Sequence, residues 1–435
     1  MIEDYEYLVV GSGAGGSAVA RELALAGKRV GVLERGRAES RRGTFRDALR
    51  FYDSSPLLHL PRRSREGVPL YRTFMGGGTT EVSCGNLVRC LEKELAQLGI
   101  ALERELGEIE AEAGVSPLPS SLISSASRAI AGSARELGLA FVPMPKGIDA
   151  TRCTGCGNCL LGCKRRAKWT AGMLLDQAVA AGAEIHYSTS VTGVATEHGR
   201  IQGVTVRTPA GTATMRAGCV VLAAGGLESP ALLRRAGLTE AGRHLFADLF
   251  VNTYALLPET SPQGEPQMSL VCRDLLDEEG FLLSPFFPPS RLARLVEAPR
   301  AARLPAARGA GIMTKIKDVS VGSISSDGGV SKAVHRQDER RLETGAGLAA
   351  RILGGAGALP GSLLVTRAQG AHPGGGAAVG SVVDQDLQTR IDNLFVCDAS
   401  VLPVSPGAPP ILTITALGRR LGRFLANQAP VSSPQ

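Results

Sequence analysis

The chain reads as an α/β protein in two interlocked parts: a discontinuous domain built on a parallel sheet, and a smaller α+β domain built on an antiparallel one. Three observations predict this. Tyr7–Val10 is a short apolar strand that runs through Gly11-Ser-Gly13-Ala-Gly15-Gly16 into an alanine-rich helix ending near Ala26, and Lys28–Leu33 then reads as a second strand. Far along the chain, the apolar strand Cys219–Ala224 runs into Gly225-Gly226 and another helix. Residues 250–370 are irregular, with Pro-rich stretches at 258–266 and 284–305, and are read as a substrate-binding region on a sheet. The expected division gives residues 1–60, 150–245 and 370–430 to the first domain. It gives 61–149 and 246–369 to a covering and substrate-binding domain.

A lone G-x-G-x-x-G is weak evidence, but here the context is complete. The glycines follow a strand and open a helix, and Glu34 closes the next strand. That makes the segment a Rossmann-like dinucleotide fingerprint. Its glycines let the backbone approach a pyrophosphate at a helix N-terminus, and Glu34 can accept hydrogen bonds from an adenosine ribose. The plain alternative is an ordinary βαβ turn, and the motif alone does not separate NAD from FAD.

Between these pieces, residues 37–72 are arginine-rich and irregular. Met75-Gly-Gly-Gly-Thr-Thr-Glu-Val-Ser-Cys84-Gly-Asn86 is a glycine-rich turn that on its own reads as a simple loop. Glu92–Leu139 is helical with a break at Ser116-Pro-Leu-Pro119, and a further helix over Ala171–Ala181 stops at Gly182. Glu184–Tyr187 and Val191–Ala195 look like strand, and Gly203–Arg207 pairs with Ala213–Arg216 as a hairpin across Pro209-Ala-Gly211.

One segment, at 151–168, has a chemistry of its own. Four of the nine cysteines, Cys153, Cys156, Cys159 and Cys163, are spaced C-x2-C-x2-C-x3-C, the run of bacterial iron–sulfur proteins. Gly155, Gly157 and Gly162 permit the tight turns that wrapping a cluster needs. Zinc would more often take two separated pairs or a histidine, and cysteines so close rarely form unstrained disulfides. Lys164 stands where ferredoxins usually carry proline. The reading is a [4Fe–4S] cluster, with another metal or a loop holding none as alternatives. Lys164, Arg165, Arg166 and Lys168 follow at once, as a solvated face that offsets a negative cluster or as a docking patch for an acidic redox partner.

Composition narrows the class. At 435 residues the chain can bury a large core, and its formal charge of +7 is mild for that size. The basic residues are scattered without aromatic interleaving, which argues against nucleic-acid binding. No basic and apolar signal region and no apolar run of membrane-spanning length is read, so no membrane span is expected. Free cysteines in a metal-type run favour a reducing compartment, and the expected location is cytoplasmic.

Four blocks in this order resemble the glucose–methanol–choline (GMC) flavoprotein oxidoreductases, in a branch with a cysteine-rich insertion: Gly11–Glu34, Gly76–Asn86, Val220–Leu233, and His372 to about Leu425. The last contains His372-Pro-Gly-Gly-Gly, Asp398-Ala-Ser400 and Pro409-Pro410-Ile-Leu-Thr413. The resemblance implies FAD. Gly11, Gly13 and Gly16 would hold its pyrophosphate and Glu34 its adenosine ribose, with Ala14, Arg35 and Ala224 among the other cofactor-binding residues. Val191 would meet the adenine, and Gly77, Gly78 and Asn86 would lie along the flavin. Asp398 and Ala399 would sit by the ribityl chain, and Pro410 and Thr413 where the last helix approaches the isoalloxazine. His372 matches the active-site histidine, whose titration range suits a base that removes a hydroxyl proton as hydride leaves the carbon. The alternative is a histidine that only packs near the flavin. Relatives usually carry a second His or Asn where this chain has Pro409, and proline can neither accept nor donate a proton, so the assisting group must come from elsewhere or be missing.

The resemblance therefore implies an FAD-dependent dehydrogenase of a small-molecule alcohol or carbohydrate (sugar, glycoside or polyol). Electrons would leave through the [4Fe–4S] cluster to a redox protein. A ferredoxin-fed reductase of a C=C or C=O group and an oxidase with a structural metal clasp stand as alternatives. A non-catalytic electron-transfer subunit is a further one, against which His372 argues.

Overall fold

The structure, a computed structural model, describes residues 4–54 and 61–428, and the expected domain boundary at residue 60 lies outside the described residues. The observed architecture is the expected α/β class, organised on two seven-stranded sheets of mixed orientation.

In the first sheet the order is Glu184–His186, Val30–Leu33, Asp4–Val10, Gly211–Leu222, Arg200–Thr208 and Ser190–Glu197, with Leu394–Val396 also on Gly211–Leu222. Asp4–Val10, Val30–Leu33, Glu184–His186 and Leu394–Val396 join in parallel. Tyr7–Val10, Val30–Leu33, Val220–Leu222 and Leu394–Val396 are near-continuous apolar runs because both faces of this sheet are covered. The expected hairpin is present, with Val206 opposite Ala213. Its second strand does not stop at Gly218. Pairing with Asp4–Val10 carries one strand of 12 residues from the hairpin into the parallel sheet.

Helix Ala14–Leu25 presses on this sheet through small residues. A Cβ on Gly15 would stand 1.9 Å from Cys397 O, and one on Gly418 would stand 2.6 Å from Gly15 O. The last helix, Ile411–Ala426, can therefore lie directly along the first. Arg419 on that helix is 1 % exposed and pairs with Glu112 at 2.5 Å and with Glu108 at 3.4 Å, binding it to helix Glu103–Glu112.

The second sheet runs Phe281–Pro285, Gly309–Ile316, Leu249–Leu256, Gln369–Gly370, Pro69–Leu70, Arg62–Arg63, with Leu364–Val365 on Leu249–Leu256. Period-two alternation decides what each face does. Leu249, Val251, Ala255, Ile312 and Ile316 pack with Leu342, Ala346, Ala349 and Ile352 of helix Arg336–Gly355. Phe250, Tyr254 and Met313 belong instead to the core shared with the first sheet. The 20-residue helix Arg336–Gly355 lies inside a region read from sequence as irregular. Its glycines obscure the pattern, yet Gly345 is required there, because a Cβ would stand 2.2 Å from Thr314 Cγ2.

Candidate active site

A cavity of about 540 Å³ opens where the fingerprint turn, the start of the last helix and the edge of the second sheet meet. Gly11, Gly13, Ala14, Glu34, Arg35 and Gly78 line it, as do Val191, Ala224, His372, Asp398, Ala399 and Pro410. Four other expected residues lie behind the wall. Gly16 is buried, and a Cβ there would stand 2.0 Å from Gly11 O, so this glycine sets helix-to-turn packing. Gly77 adopts a left-handed φ of +84° against Glu81 and Gly172. Asn86 turns its amide to Met268 and to the buried Lys146, and Thr413 Oγ1 donates to Cys90 O at 2.9 Å.

The cavity fits the cofactor that the blocks imply. Helix Ala14–Leu25 starts at Gly13 with no side-chain cap, and a Cβ on Gly13 would meet nothing within 4 Å. Free N–H groups and open space at a helix N-terminus suit a pyrophosphate. Helix Ile411–Ala426 likewise starts uncapped at Pro410, where it lines the cavity. Glu34, 6 % exposed, accepts hydrogen bonds from Ser12 Oγ at 2.5 Å and Gly36 N at 2.7 Å, while burial pushes its carboxyl above the usual range. Asp398 accepts from Gly225 N at 2.9 Å and Ser400 N at 2.8 Å, fixing the ends of two adjacent strands of the sheet against each other.

His372 is held by the second sheet. Strand Gln369–Gly370 pairs with Leu249 and Phe250, and His372 N donates to Ala247 O at 3.2 Å, which sets the imidazole beside Asp248. Nδ1 lies 2.6 Å from Asp248 Oδ2, and Lys315 Nζ lies 2.5 Å from that same oxygen and 3.0 Å from Nδ1. The Asp248 and Lys315 side chains are 0 % and 2 % exposed, whereas a quarter of the imidazole faces the cavity. An ionised carboxylate accepts hydrogen bonds only, so Nδ1 carries the proton and donates to Asp248. Nε2 is left as a lone pair with no partner among the described residues. Burial, then the charge of Lys315, lower the pKa of His372, against the opposing pull of Asp248.

Asp248 is placed at some cost. It adopts a left-handed φ of +54°, and its N–H and that of Ala247 donate to Asp318 at 2.7 and 3.0 Å. Asp318 is in turn paired with the buried Lys332 at 2.8 Å. Aspartate is among the residue types that adopt this region most readily, and these backbone hydrogen bonds hold it there. Asp248 and Lys315 escaped the sequence reading. The available signal was a charge inside each apolar strand run, since buried Asp and Lys occur essentially only as pairs.

The cysteine segment departs from expectation. Among the described residues, no three His, Cys, Asp or Glu side chains are gathered so as to hold a metal ion. Cys163 Sγ accepts a hydrogen bond from Ala167 N at 3.3 Å, Cys159 packs on the main core, and Cys156 is exposed. The turns are set by contacts with other segments: a Cβ on Gly155 would stand 2.3 Å from Gly264 O, and one on Gly162 would stand 2.8 Å from Arg42 Cβ.

Comparison with known proteins agrees with this architecture. The GMC oxidoreductase family pattern matches residues 101–252 with its N-terminal part and 330–418 with its C-terminal part. An uncharacterised GMC-type oxidoreductase of Mycobacterium tuberculosis is 31 % identical over 94 % of this chain and 74 % of its own length. An uncharacterised protein of Methanocaldococcus jannaschii is 26 % identical over 96 % of this chain and 99 % of its own. In fold, the chain is similar to pyridoxine 4-oxidase from Mesorbium loti, with a TM-score of 0.75 at 19 % identity over 98 % of this chain and 100 % of that one. It is also similar to a formate oxidase of Aspergillus oryzae, with a TM-score of 0.72 at 16 % identity over 97 % of each. Among the described residues no helix is long and apolar enough to cross a membrane.

Proposed function

The chain belongs to the GMC oxidoreductases, and on that premise we propose that it oxidises a hydroxyl-bearing small molecule, an alcohol or carbohydrate, with His372 as the base. FAD, when bound, supplies the hydride acceptor. The observation that carries the reading is the free Nε2 of an imidazole that lines the cavity while Asp248 holds its Nδ1–H. Nε2 takes the hydroxyl proton as hydride leaves the same carbon, and the imidazolium that forms is stabilised by the Asp248 carboxylate. Lys315 opposes that charge, so the imidazole is neutral before the step and gives its proton up readily afterwards. Gly13, Ala14 and the start of the last helix would hold the cofactor through backbone N–H groups. The oxidase relatives in fold, one acting on pyridoxine and one on formate by name, are consistent with oxidation of a small molecule.

The test is anaerobic reduction of the bound flavin, followed by absorbance, with a panel of alcohols, polyols and sugars. Bleaching by at least one of them, and its loss in His372→Asn with flavin content kept, is the expected result. Bleaching only by reduced ferredoxin, with reoxidation by an unsaturated or carbonyl acceptor, would overturn it in favour of a reductase.

A further inference from the structure

Behind the pair of His372 and Asp248 lies a buried ionic group that the proposed chemistry does not use. The side chains of Asp318, Lys332 and Asp338 are 0 % exposed. Lys332 Nζ stands 2.8 Å from Asp318 Oδ2 and 4.0 Å from Asp338 Oδ2, and it donates to Val319 O at 2.7 Å. Asp338 Oδ1 accepts from Val319 N at 3.0 Å. A buried ion pair is weak evidence for stability, because apolar residues of the same volume often serve as well. What this group supplies is a set of fixed acceptors.

Asp318 is its node. Oδ1 accepts from Asp248 N at 2.7 Å and from Ser405 Oγ at 2.8 Å. Oδ2 accepts from Ala247 N at 3.0 Å and pairs with Lys332. A carboxylate offers about four lone-pair sites, so these donors engage all of them. The donors come from separate walls of the cavity. Ala247 and Asp248 lead into strand Leu249–Leu256, and the Asp248 side chain holds His372. Ser405 lies on the stretch between Ala399 and Pro410, both of which line the cavity. Asp318 itself follows strand Gly309–Ile316, which carries Lys315. One segment thus grips Asp248 twice, with Lys315 on its carboxylate and Asp318 on its backbone N–H.

We propose that Asp318 is a positioning residue for the base. Its carboxylate holds the backbone at Ala247 and Asp248 so that Asp248 Oδ2 meets His372, and it ties that arrangement to the loop before the last helix. The proposal rests on the reading of His372 as the base. Asparagine at this position would keep the shape, but its amide has one acceptor oxygen, and its NH2 group would face donors. Asp318→Asn therefore leaves at least two of the four donors unserved. The backbone of Asp248, at a φ of +54°, is then released, and the carboxylate leaves His372 Nδ1.

The test compares Asp318→Asn with the double variant Asp318→Asn, Lys332→Met, which also removes the ammonium left without its counter-charge. Both are loaded with FAD and reduced by an alcohol that bleaches the parent, with the pH profile of kcat/KM. In the single variant kcat and kcat/KM are expected to fall together, by about 10²-fold, the order that a misplacement of about 1 Å costs. The acid limb should move to lower pH. His372 is faced by Asp248, which favours its charged form, and by Lys315, which opposes it, so withdrawing Asp248 leaves only the opposing charge. The double variant should regain the melting temperature of the parent apoprotein but neither the rate nor the limb. A double variant with the parental rate and limb overturns the proposal. So does loss of the fold or of FAD binding in both variants, because the role would then be structural. A parent that no alcohol bleaches, or His372→Asn that still bleaches, removes the reading of His372 and this proposal with it. Bleaching lost in His372→Asn but parental in the double variant strikes Asp318 alone.

Discussion

His372 Nδ1 stands 2.6 Å from Asp248 Oδ2, and Lys315 Nζ stands 2.5 Å from the same oxygen. One carboxylate oxygen thus orients the histidine and neutralises a buried lysine. The imidazole inherits a defined tautomer from the first contact and a lowered proton affinity from the second.

Asp248→Asn keeps the volume but removes the anion, so Nδ1–H loses its strong acceptor and the other tautomer becomes accessible. Flavin reduction by a substrate alcohol is expected to slow by about 10²–10⁴-fold, comparable to losing the base itself, with FAD still bound. Stopped-flow reduction of the loaded enzyme measures it. A rate within a few-fold of the parent would show that Asp248 does not set the tautomer.

The pH profile follows from the sign of the His372 shift. Its proton affinity is below the ordinary value, so the base stays deprotonated, and the enzyme active, to lower pH than an ordinary histidine would allow. Activity falls as pH drops through the lowered value. Lys315→Met removes a cation that depresses it, so the acid limb of kcat/KM should move to higher pH. A limb that stays in place would mean that the lysine only packs there.

Gly13 and Gly16 separate cofactor binding from folding. A Cβ on Gly13 would meet nothing in the chain, whereas one on Gly16 would stand 2.0 Å from Gly11 O. Gly13→Ala should fold with a melting temperature close to that of the parent apoprotein but bind FAD at least about tenfold more weakly, or about 1.4 kcal/mol. Gly16→Ala should lower the stability of the apoprotein itself. Calorimetry of the apoproteins with FAD titration distinguishes the two.

Arg419 clamps the last helix to helix Glu103–Glu112. It is 1 % exposed, and its partner Glu112 is 43 % exposed and can rehydrate. Arg419→Ala should therefore cost about 2–3 kcal/mol, at or just below the ~3–5 kcal/mol of breaking a fully buried pair. A shift of the urea midpoint measures it, and a change below about 0.5 kcal/mol, typical of surface sites, would contradict the clamp.

Features set by neighbours in the chain were legible from sequence. The turn at Gly11–Gly16 and the hairpin across Pro209-Ala-Gly211 could be read because their geometry depends on residue types a few positions apart. Helix Arg336–Gly355 falls in the stretch expected to be irregular, and contact with Thr314 makes its Gly345 a packing requirement that no short-range pattern shows. The reading of the cysteines was local as well, and spacing alone carries no information on how far apart folded thiols stand.

The sequence by itself determined the α/β class, the strand–turn–helix that opens the cavity and the one histidine within a recognisable block, because apolar periodicity and glycine turns act over short range. Tertiary structure alone decided what that histidine can do. Asp248 and Lys315 lie 124 and 57 positions from His372 and share no motif with it. They meet it only because strand Leu249–Leu256 is registered with Phe250 opposite both Lys315 and Gln369. Strand register is fixed by which face is buried against helix Arg336–Gly355, and a one-residue slip would turn Asp248 and Lys315 away from His372.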